Sequence, residues 1–338
     1  MLPAIPVFDL RAEAQPSFAA YRAAPARAEA LWRVARARYT APGLALADRA
    51  SRHWLARNGN PLLPEISAIA EALPGPGGHA LNLSYEWGCT AGLGAAAAPF
   101  MLRVLDWDLK GLGEQLCVFR QAGPAGEWLN LGWPDFAGAI TALAPGRFAI
   151  AINQPPLPQG ALARVARGAG ADFLGLAVDW LAIRPERWRH RGLPPAHLLR
   201  LVCDTAPDYA AALPMLRDTP LAAGAIFSLA GIKPGEAAVI ERAEASHAVI
   251  HAAPIAAAAN GWQGIANPGA PRWRYSAERH AAMAVLLAGP VPRDFGWLKP
   301  PIANEGSRLA TMMCPATGKL ELLGMEGGVA VTQPLYLN

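Results

Sequence analysis

Hydrophobic residues near the start of the chain follow a helical pattern. Tyr21 and Trp32 lie in an arginine-rich stretch in which apolar and polar residues do not alternate, as in a helix that buries one face. Two further helices are predicted in ADRASRHWLARNG, where Asn58-Gly59 is a stop signal, and in PEISAIAEAL. We therefore predict that residues 1–88 are mostly helical.

Short apolar runs separated by Gly, Pro and Asn turns predict strands from residue 89 onward. The runs are GCTAGL, PFMLRVLDW, EQLCVFRQ, EWLNLGW, GAITAL and RFAIAIN, and later AGAIFSLAGI, GEAAVIERA and SHAVIHAA. Helices are predicted around residues 160–183 and 194–216 and in Ser276–Leu287, where Ser276 is the expected N-cap. A hairpin across PATG lies near the end of the sequence. This order of elements predicts an α+β fold with mainly antiparallel sheets.

The composition allows a large core and excludes several classes of protein. Of 338 residues, 53% are hydrophobic and 17% are charged, which is not a disordered composition. The formal net charge of +4 comes without a basic stripe, so we expect no nucleic-acid partner. The four cysteines are widely spaced, without a CxxC pair. We therefore expect neither a disulfide framework nor a metal site, and we predict no cofactor.

The first residues lack the pattern of a signal peptide, and the longest uncharged run near Cys89 is short for a membrane span. We therefore expect a cytoplasmic protein, and the sequence leaves membrane contact open.

Cys89 lies where charged partners can reach it. It opens an uncharged run that turns in residues 92–99 and returns through PFMLRVLDW. Antiparallel pairing of the two runs would bring Arg103 and Asp106 back beside residues 89–91. The arginine would stabilise a thiolate or a developing anion, and the aspartate would accept a hydrogen bond from an ammonium or orient a base.

A cysteine nucleophile also needs a base. None of the seven histidines is close to Cys89 in sequence, although one could approach it in the folded chain. The alternative is a cut between Gly88 and Cys89, made by attack of the thiol on the Gly88 carbonyl. The cut would create an α-amino group on the nucleophile's own residue. Its reference pKa of about 7.7–8.0 suits a general base near neutral pH.

The segment LNLSYEWGCTAG, followed by MLRVLDWD, carries a family resemblance. It resembles N-terminal-nucleophile (Ntn) hydrolases of the acid ceramidase and N-acylethanolamine acid amidase group, relatives of choloylglycine hydrolases. In that group an α-subunit ends in N-L-x-Y-E, and the β-subunit begins with Cys-Thr and carries R-N-x-D-[WF] one hairpin later. The resemblance continues in residues 6–23, in FAGAITALAPGRFAIAINQ and in TPL…GE…VI.R, so it covers nearly the whole chain.

This resemblance implies a four-layer αββα sandwich. Residues 1–88 would form a helical α-subunit or propeptide, and residues 89–338 the catalytic β-subunit. The intact chain would then be a zymogen, and the two subunits would be partners of each other.

The resemblance also implies roles for single residues. Cys89 would be the nucleophile and, after cleavage, would carry the base. Arg103 and Asp106 would position the amine and the substrate. Asn260, in AAAANGWQ, would help to form the oxyanion hole. Thr90, directly after the nucleophile, would support the site.

Two positions depart from the family pattern. Gln154 stands where the family has an acidic residue that supports self-cleavage and the active site, and an amide does no acid–base chemistry. The residues after Asn260 are GWQ, in place of Tyr-Asp. The glutamine leaves processing of the Gly88–Cys89 bond open, and the residues after Asn260 mean that the family's substrate specificity does not carry over with the mechanism.

The expected activity is hydrolysis of a non-peptide N-acyl amide through a thioester on Cys89. The acyl chain is expected to be apolar, in a pocket that Trp87, Trp107 and Phe136 would line. One alternative is an acyltransferase on the same scaffold, in which an amine takes the acyl group. The other is an unprocessed, catalytically silent binding protein.

Overall fold

The computed structural model describes residues 1–84, 87–157, 191–244, 246–266, 269 and 273–338. Within these residues the chain forms eight helices and fifteen strands. The helix predicted around residues 160–183 lies outside the described residues. None of the described helices is both long and apolar enough to cross a membrane.

Five helices fill most of the first 84 residues, as the apolar pattern predicts. They are α1 (Pro16–Ala23), α2 (Pro25–Tyr39), α3 (Ala41–Arg57), α4 (Leu63–Ala72) and α5 (Gly78–Asn82). The arginine-rich stretch that contains Tyr21 and Trp32 is helical as predicted, but it forms two helices that divide at Pro25. Proline has no N–H for a bond inside a helix but suits the first helical position, so it begins α2.

Two large sheets form the centre of the molecule. In spatial order the first contains β1 (Val7–Asp9), β4 (Cys117–Gly123), β5 (Gly126–Gly132), β6 (Thr141–Ala144), β7 (Phe148–Asn153), β8 (Ala225–Ala230), β9 (Ala237–Arg242) and β10 (His247–His251). The second contains β11 (Ile255–Ala258), β2 (Trp87–Gly94), β3 (Phe100–Trp107), β12 (Ser307–Cys314), β13 (Lys319–Glu326) and β14 (Val329–Ala330), with β15 (Leu335–Leu337) also paired to β13. Among the described strands, only the β1–β4 ladder is parallel. The predicted mainly antiparallel α+β fold is confirmed.

Four strands, β1, β11, β14 and β15, lie outside the predicted set, and β1 and β11 show why. β1 has three residues and lies in the region predicted to be mostly helical. β11 has the sequence IAAA, which is short and poor in β-branched residues. Each is held by its neighbour, β4 or β2, and local propensity is too weak to predict either of them.

The layers are ordered helix, sheet, sheet, helix. Helices α6 (Pro195–Thr205) and α7 (Tyr209–Asp218) pack on the first sheet, and α8 (Ser276–Leu287) packs on β2 and β11 of the second. The sheets face each other through β2 and β3 on one side and β7 and β8 on the other. Every residue of β7 is buried, which explains why its sequence FAIAIN is a continuous apolar run.

The N-terminal helices are joined to the sandwich by polar and apolar contacts. The Arg200 guanidinium on α6 lies 2.7 Å from the Glu65 carboxylate on α4 and donates to the Ser17 hydroxyl on α1 at 2.7 Å. All three residues are buried. Leu55 and Ile66 form an apolar cluster with Ala137, which lies between β5 and β6. The helical region therefore shares a core with the sandwich.

We expect Leu55→Ala to lower the free energy of unfolding by about 3 kcal/mol, because a buried leucine is replaced by a cavity. Leu55 is fully buried, whereas Leu46 on the same helix is 70% exposed. Leu46→Ala is therefore the matched control and should change stability by less than about 0.5 kcal/mol. Urea unfolding of both variants measures the difference. Equal effects would contradict the docking of α3 on the sandwich.

Candidate active site

The β2–β3 hairpin sets the geometry around Cys89. Its register puts Gly88 opposite Asp106 and Ala91 opposite Arg103. Because directly paired residues of an antiparallel ladder share a face, the side chains of Cys89 and Arg103 lie on one face and that of Asp106 lies on the other. Two of the predicted charged residues thus approach Cys89 from different sides of the sheet.

Arg103 contacts the thiol directly. Its Nη2 lies 2.9 Å from Cys89 Sγ and donates to the Ile152 carbonyl at 2.6 Å. The same guanidinium donates to Thr141 Oγ1 at 3.0 Å and to the Asn153 side chain. These bonds fix a fully buried cation against the sulfur, where it can stabilise negative charge.

Asp106 does not contact the thiol; its partners lie on the outer face of the second sheet. Its carboxylate accepts from the Ser307 hydroxyl at 2.7 Å and from Asn304 Nδ2 at 3.1 Å, and lies 3.2 Å from Arg279 Nη1. Asp106 and Arg279 are both fully buried. The hydrogen-bonded connection from the aspartate to Cys89 therefore runs through Arg279.

Arg279 is a site residue that sequence reasoning missed. Its Nη1 donates to the Cys89 carbonyl at 2.7 Å and to Thr90 Oγ1 at 2.8 Å, and its Nη2 donates to Asn260 Oδ1 at 2.8 Å. The available signal is its place on α8, where the buried positions are Arg279, Met283 and Leu287. An arginine that continues a stripe of apolar residues at spacing i, i+4, i+8 is buried with them, and a buried arginine needs acceptors.

Asn260, just beyond the end of β11, reaches Cys89. Ala258 of β11 pairs with Ala91 of β2, so the chain just beyond β11 returns beside Cys89. Asn260 Oδ1 accepts the Cys89 N–H at 3.0 Å, and Nδ2 donates to the Gln154 carbonyl at 2.8 Å. The Asn260 N–H in turn donates to Ser276 Oγ at 2.9 Å. The prediction that Ser276 caps helix α8 is therefore wrong, because its hydroxyl is used by Asn260 and the cap position is Tyr275.

Gln154 follows β7 and is fully buried beside this network. Its main-chain carbonyl contacts Asn260, but neither atom of its side-chain amide has a hydrogen-bond partner among the described residues. A buried unpartnered amide costs free energy, so this side chain offers a donor and an acceptor to a group that binds there.

Gly88, on the other side of the candidate cleavage bond, has no room for a side chain. A Cβ at this position would lie 2.3 Å from Cγ of Trp273. The indole also lies against Gly306, close to Asp106 in the neighbouring strand. Trp273 therefore covers the main chain at the candidate bond and requires glycine before Cys89.

The electrostatics keep the thiol neutral. Burial raises the pKa of Cys89 to about 11, while Arg103 and Arg279 lower it and Asp106 raises it. Desolvation dominates because the sulfur is fully buried. Burial likewise lowers the pKa of Arg279, an effect that Asp106 opposes. Among the described residues, no histidine forms a hydrogen bond with the Cys89 sulfur, and no group of three His, Cys, Asp or Glu side chains could hold a metal ion.

Two pockets border the segment that precedes Cys89. The Trp54 pocket, a cavity of about 250 Å³, is lined by Trp54, Leu83, Ser84, Pro194, Ala196 and Ala223 among others. The Asp135 pocket is lined by Tyr39, Ser84, Trp107, Trp133, Asp135 and Phe136 among others. Three aromatic residues are expected around an acyl chain. Two of them, Trp107 and Phe136, line the pocket that contains the Asp135 carboxyl group. The third, Trp87, is buried and packs against Trp107, with 5.1 Å between ring centroids.

We expect Asp106→Asn to lower the free energy of unfolding by about 3 kcal/mol, because it leaves the Arg279 guanidinium buried without a counter-charge. Glu305→Gln is the matched control. Glu305 pairs with Arg274 at 3.5 Å, but both side chains are about 80% exposed, so this loss should be below about 1 kcal/mol. Chemical denaturation compares the two. An Asp106→Asn protein as stable as the control would contradict the proposed dependence of Arg279 on Asp106.

Sequence comparison finds no matching protein family and no similar curated protein. The structure is similar to the Caenorhabditis elegans N-acylethanolamine-hydrolyzing acid amidase ortholog, with a TM-score of 0.50 and 17% identity over 67% of this chain and 93% of that chain. It is also similar to a mutant of the Clostridium perfringens conjugated bile acid hydrolase (TM-score 0.42, 11% identity, 74% and 92% coverage) and to the Agrobacterium tumefaciens penicillin V acylase (0.40, 12%, 74% and 86%). At 17% identity the likeness to the first of these structures concerns the fold alone, and the αββα sandwich that the sequence resemblance implies is confirmed.

Proposed function

We propose that this chain is an amidohydrolase that cleaves non-peptide N-acyl amides with Cys89 as an N-terminal nucleophile. One observation carries the proposal: each polar group of Cys89 contacts a buried polar side chain. Arg103 contacts the sulfur, Asn260 accepts the N–H, and Arg279 donates to the carbonyl. A cysteine that only fills space in a core needs no partner for its sulfur.

The first reaction in this proposal is self-cleavage. Cys89 Sγ attacks the Gly88 carbonyl, and the acyl group moves from nitrogen to sulfur as the peptide C–N bond breaks. Water then hydrolyses the thioester, which leaves a carboxylate on Gly88 and a free α-amine on Cys89. The hydrogen bond from Cys89 N–H to Asn260 Oδ1 supports this step, because the same acceptor can hold the new amine.

The second reaction uses the new N-terminus. The α-amine takes the thiol proton, Sγ attacks the substrate carbonyl, and the amine returns the proton to the departing nitrogen. Asn260 is the proposed donor to the oxyanion. One hydrogen of its Nδ2 is bound to the Gln154 carbonyl, and a side-chain amide has a second hydrogen to donate. Water then hydrolyses the acyl thioester.

The Trp54 pocket is the proposed site of the acyl chain. Its lining is mainly apolar, and its wall at Ser84 is five residues before Cys89. On the other side Ala223 lies just before β8, which pairs with the end of β7 beside Gln154. An apolar chain in this pocket would lie next to the polar groups around Cys89.

Hydrolase and acyltransferase differ only in the final acceptor. In the second case an amine, not water, attacks the same thioester. Product analysis with and without an added amine separates the two. Free fatty acid as the main product in both samples supports the hydrolase, and conversion to a new amide supports the acyltransferase.

Self-cleavage predicts two fragments that meet at the Gly88–Cys89 bond. Cys89→Ala should remain one chain of 35.6 kDa, because the attacking sulfur is gone. Cys203→Ala removes another fully buried cysteine, on α6, and should be cut like the wild type. Intact-mass measurement of the wild type and the two variants shows which of them are cut. A cut in Cys89→Ala contradicts self-processing, and an uncut, inert wild type favours the binding-protein alternative.

The neutral side chain at position 154 is expected to slow this cleavage. Gln154→Glu supplies a carboxylate that can take the thiol proton, so it should cleave at least about tenfold faster, since positioned bases contribute about 10²–10⁴-fold. The control is Gln121→Glu, which changes another buried glutamine with an unpartnered side-chain oxygen, on β4. Time courses on denaturing gels measure the rates. An unchanged cleavage rate in Gln154→Glu would show that the side chain at this position takes no part in self-cleavage.

A further inference from the structure

The Asp135 pocket contains a carboxyl group whose partner is missing from the described chain. Asp135 lies in the turn between β5 and β6 and is 8% exposed. Its carboxyl group accepts a hydrogen bond from its own main-chain N–H, and none of the described ion pairs includes it. Burial raises the pKa of Asp135 to about 7, and no described cation opposes that rise. A buried acid without a counter-charge destabilises the fold unless something binds to it.

Aromatic rings form the walls around this carboxyl group. Trp107 and Trp133 meet edge to face, with 5.8 Å between ring centroids and 85° between planes, and so make a corner. Tyr39 and Phe136 line the same pocket. The Trp133 indole is fixed by a 2.9 Å hydrogen bond to the Leu112 carbonyl, whereas the buried Trp107 Nε1 has no hydrogen-bond partner within the part of the chain that the structure describes. Aromatic faces together with a carboxylate are the chemistry that recognises organic cations.

Arg38, the residue before Tyr39, is already engaged. Arg38 lies over the Tyr39 ring at 5.8 Å, and it pairs with Asp108 at 3.5 Å and donates to the Asp108 carbonyl at 3.2 Å. It therefore does not neutralise Asp135. The pocket combines an acid and several rings, and the described chain supplies no cation of its own to fill it.

We propose that the Asp135 pocket binds an organic ammonium group. Asp135 is the counter-ion, and the faces of Tyr39, Trp107, Trp133 and Phe136 surround the alkyl groups on nitrogen. The ligand class is a small amine or a quaternary ammonium such as choline.

The position of the pocket relates this ligand to the proposed substrate. Trp107 pairs with Trp87, two residues before Cys89, so the pocket lies about 7 Å along the strand from the nucleophile. Ser84 lines both this pocket and the Trp54 pocket. If the proposed function holds, the acyl chain occupies the Trp54 pocket and the amine portion, carrying the ammonium group, occupies the Asp135 pocket.

Binding of choline and of 3,3-dimethylbutan-1-ol tests the pocket without any need for turnover. The two molecules have the same shape, but only choline is charged. Isothermal titration calorimetry on the full chain should give choline at least about tenfold tighter binding, because only choline gains the carboxylate and cation–π attraction. Asp135→Asn should remove that advantage and leave the alcohol unaffected. Equal binding of the two molecules to the wild type, or no binding of either, overturns the proposal.

Two further variants test the aromatic wall and control for the loss of a carboxylate. Phe136→Leu keeps an apolar wall but removes a ring face, and should weaken choline binding several-fold. Asp218→Asn makes the same charge change at an exposed carboxylate paired with Arg217 and should have no effect. Asp135→Asn should unfold at the same temperature as the wild type or higher, because it removes an unpaired buried acid. Loss of choline binding in Asp218→Asn as well would overturn the assignment to Asp135.

Competition separates a substrate group from an independent ligand. If choline raises the KM for a neutral N-acyl amide, the ammonium site belongs to the substrate path. Choline binding without an effect on KM indicates that the pocket binds an amine other than the substrate. Either result supports the proposal that the Asp135 pocket binds an ammonium group. A protein that hydrolyses amides but does not bind choline overturns this inference alone, whereas one that binds choline but never cleaves an amide overturns the proposed function alone.

Discussion

The buried ion pair between Asp106 and Arg279 holds three distant parts of the chain at one point. Asp106 ends the β2–β3 hairpin, Arg279 comes from α8, and Arg279 in turn contacts Asn260 beyond β11. The guanidinium can be buried in this position because a carboxylate and four further oxygen acceptors surround it. Cys89 lies at the centre of this arrangement, since its carbonyl is one of those acceptors.

A buried ion pair of this kind is poorly explained by stability alone. An apolar pair of the same volume can be as stable or more stable, because both charges lose their hydration in the interior. A site that must hold a cysteine by its nitrogen, carbonyl and sulfur has a different requirement. It needs directed donors and acceptors that apolar side chains cannot supply, and Arg103, Arg279 and Asn260 are those groups. Two other buried groups also cost folding free energy: the Gln154 side-chain amide has no hydrogen-bond partner, and the Asp135 carboxyl group no counter-charge, among the described residues.

Much of this fold could be predicted from sequence because its strands are short apolar runs between turn residues. The hairpin that brings Arg103 to Cys89 follows from the same pattern. Asp106 was expected at the thiol, yet it is three residues from Arg103, and the two-residue period of a strand puts it on the other face. The position of Asp106 on the face away from the thiol can therefore be predicted from the sequence.

Other parts of the site depend on tertiary contacts that local patterns do not contain. Arg279 can be recognised as buried from its helical stripe, but its acceptors are far along the chain. Trp273 packs on Gly88 from a segment without regular pattern, and β11 is held by its pairing with β2. Asn260 was predicted only through the family resemblance, because an asparagine before glycine is ordinarily a turn residue.

The proposed reaction passes through a covalent acyl intermediate on the sulfur of Cys89. The most direct test is to mix the processed protein with an N-acyl amide, quench it in acid within the first turnover, and map the peptides by mass. The account predicts one peptide that begins at Cys89 and carries the acyl mass as a thioester, and no such peptide in Cys89→Ala. Turnover with the acyl group on another residue, or an active Cys89→Ala protein, would contradict it.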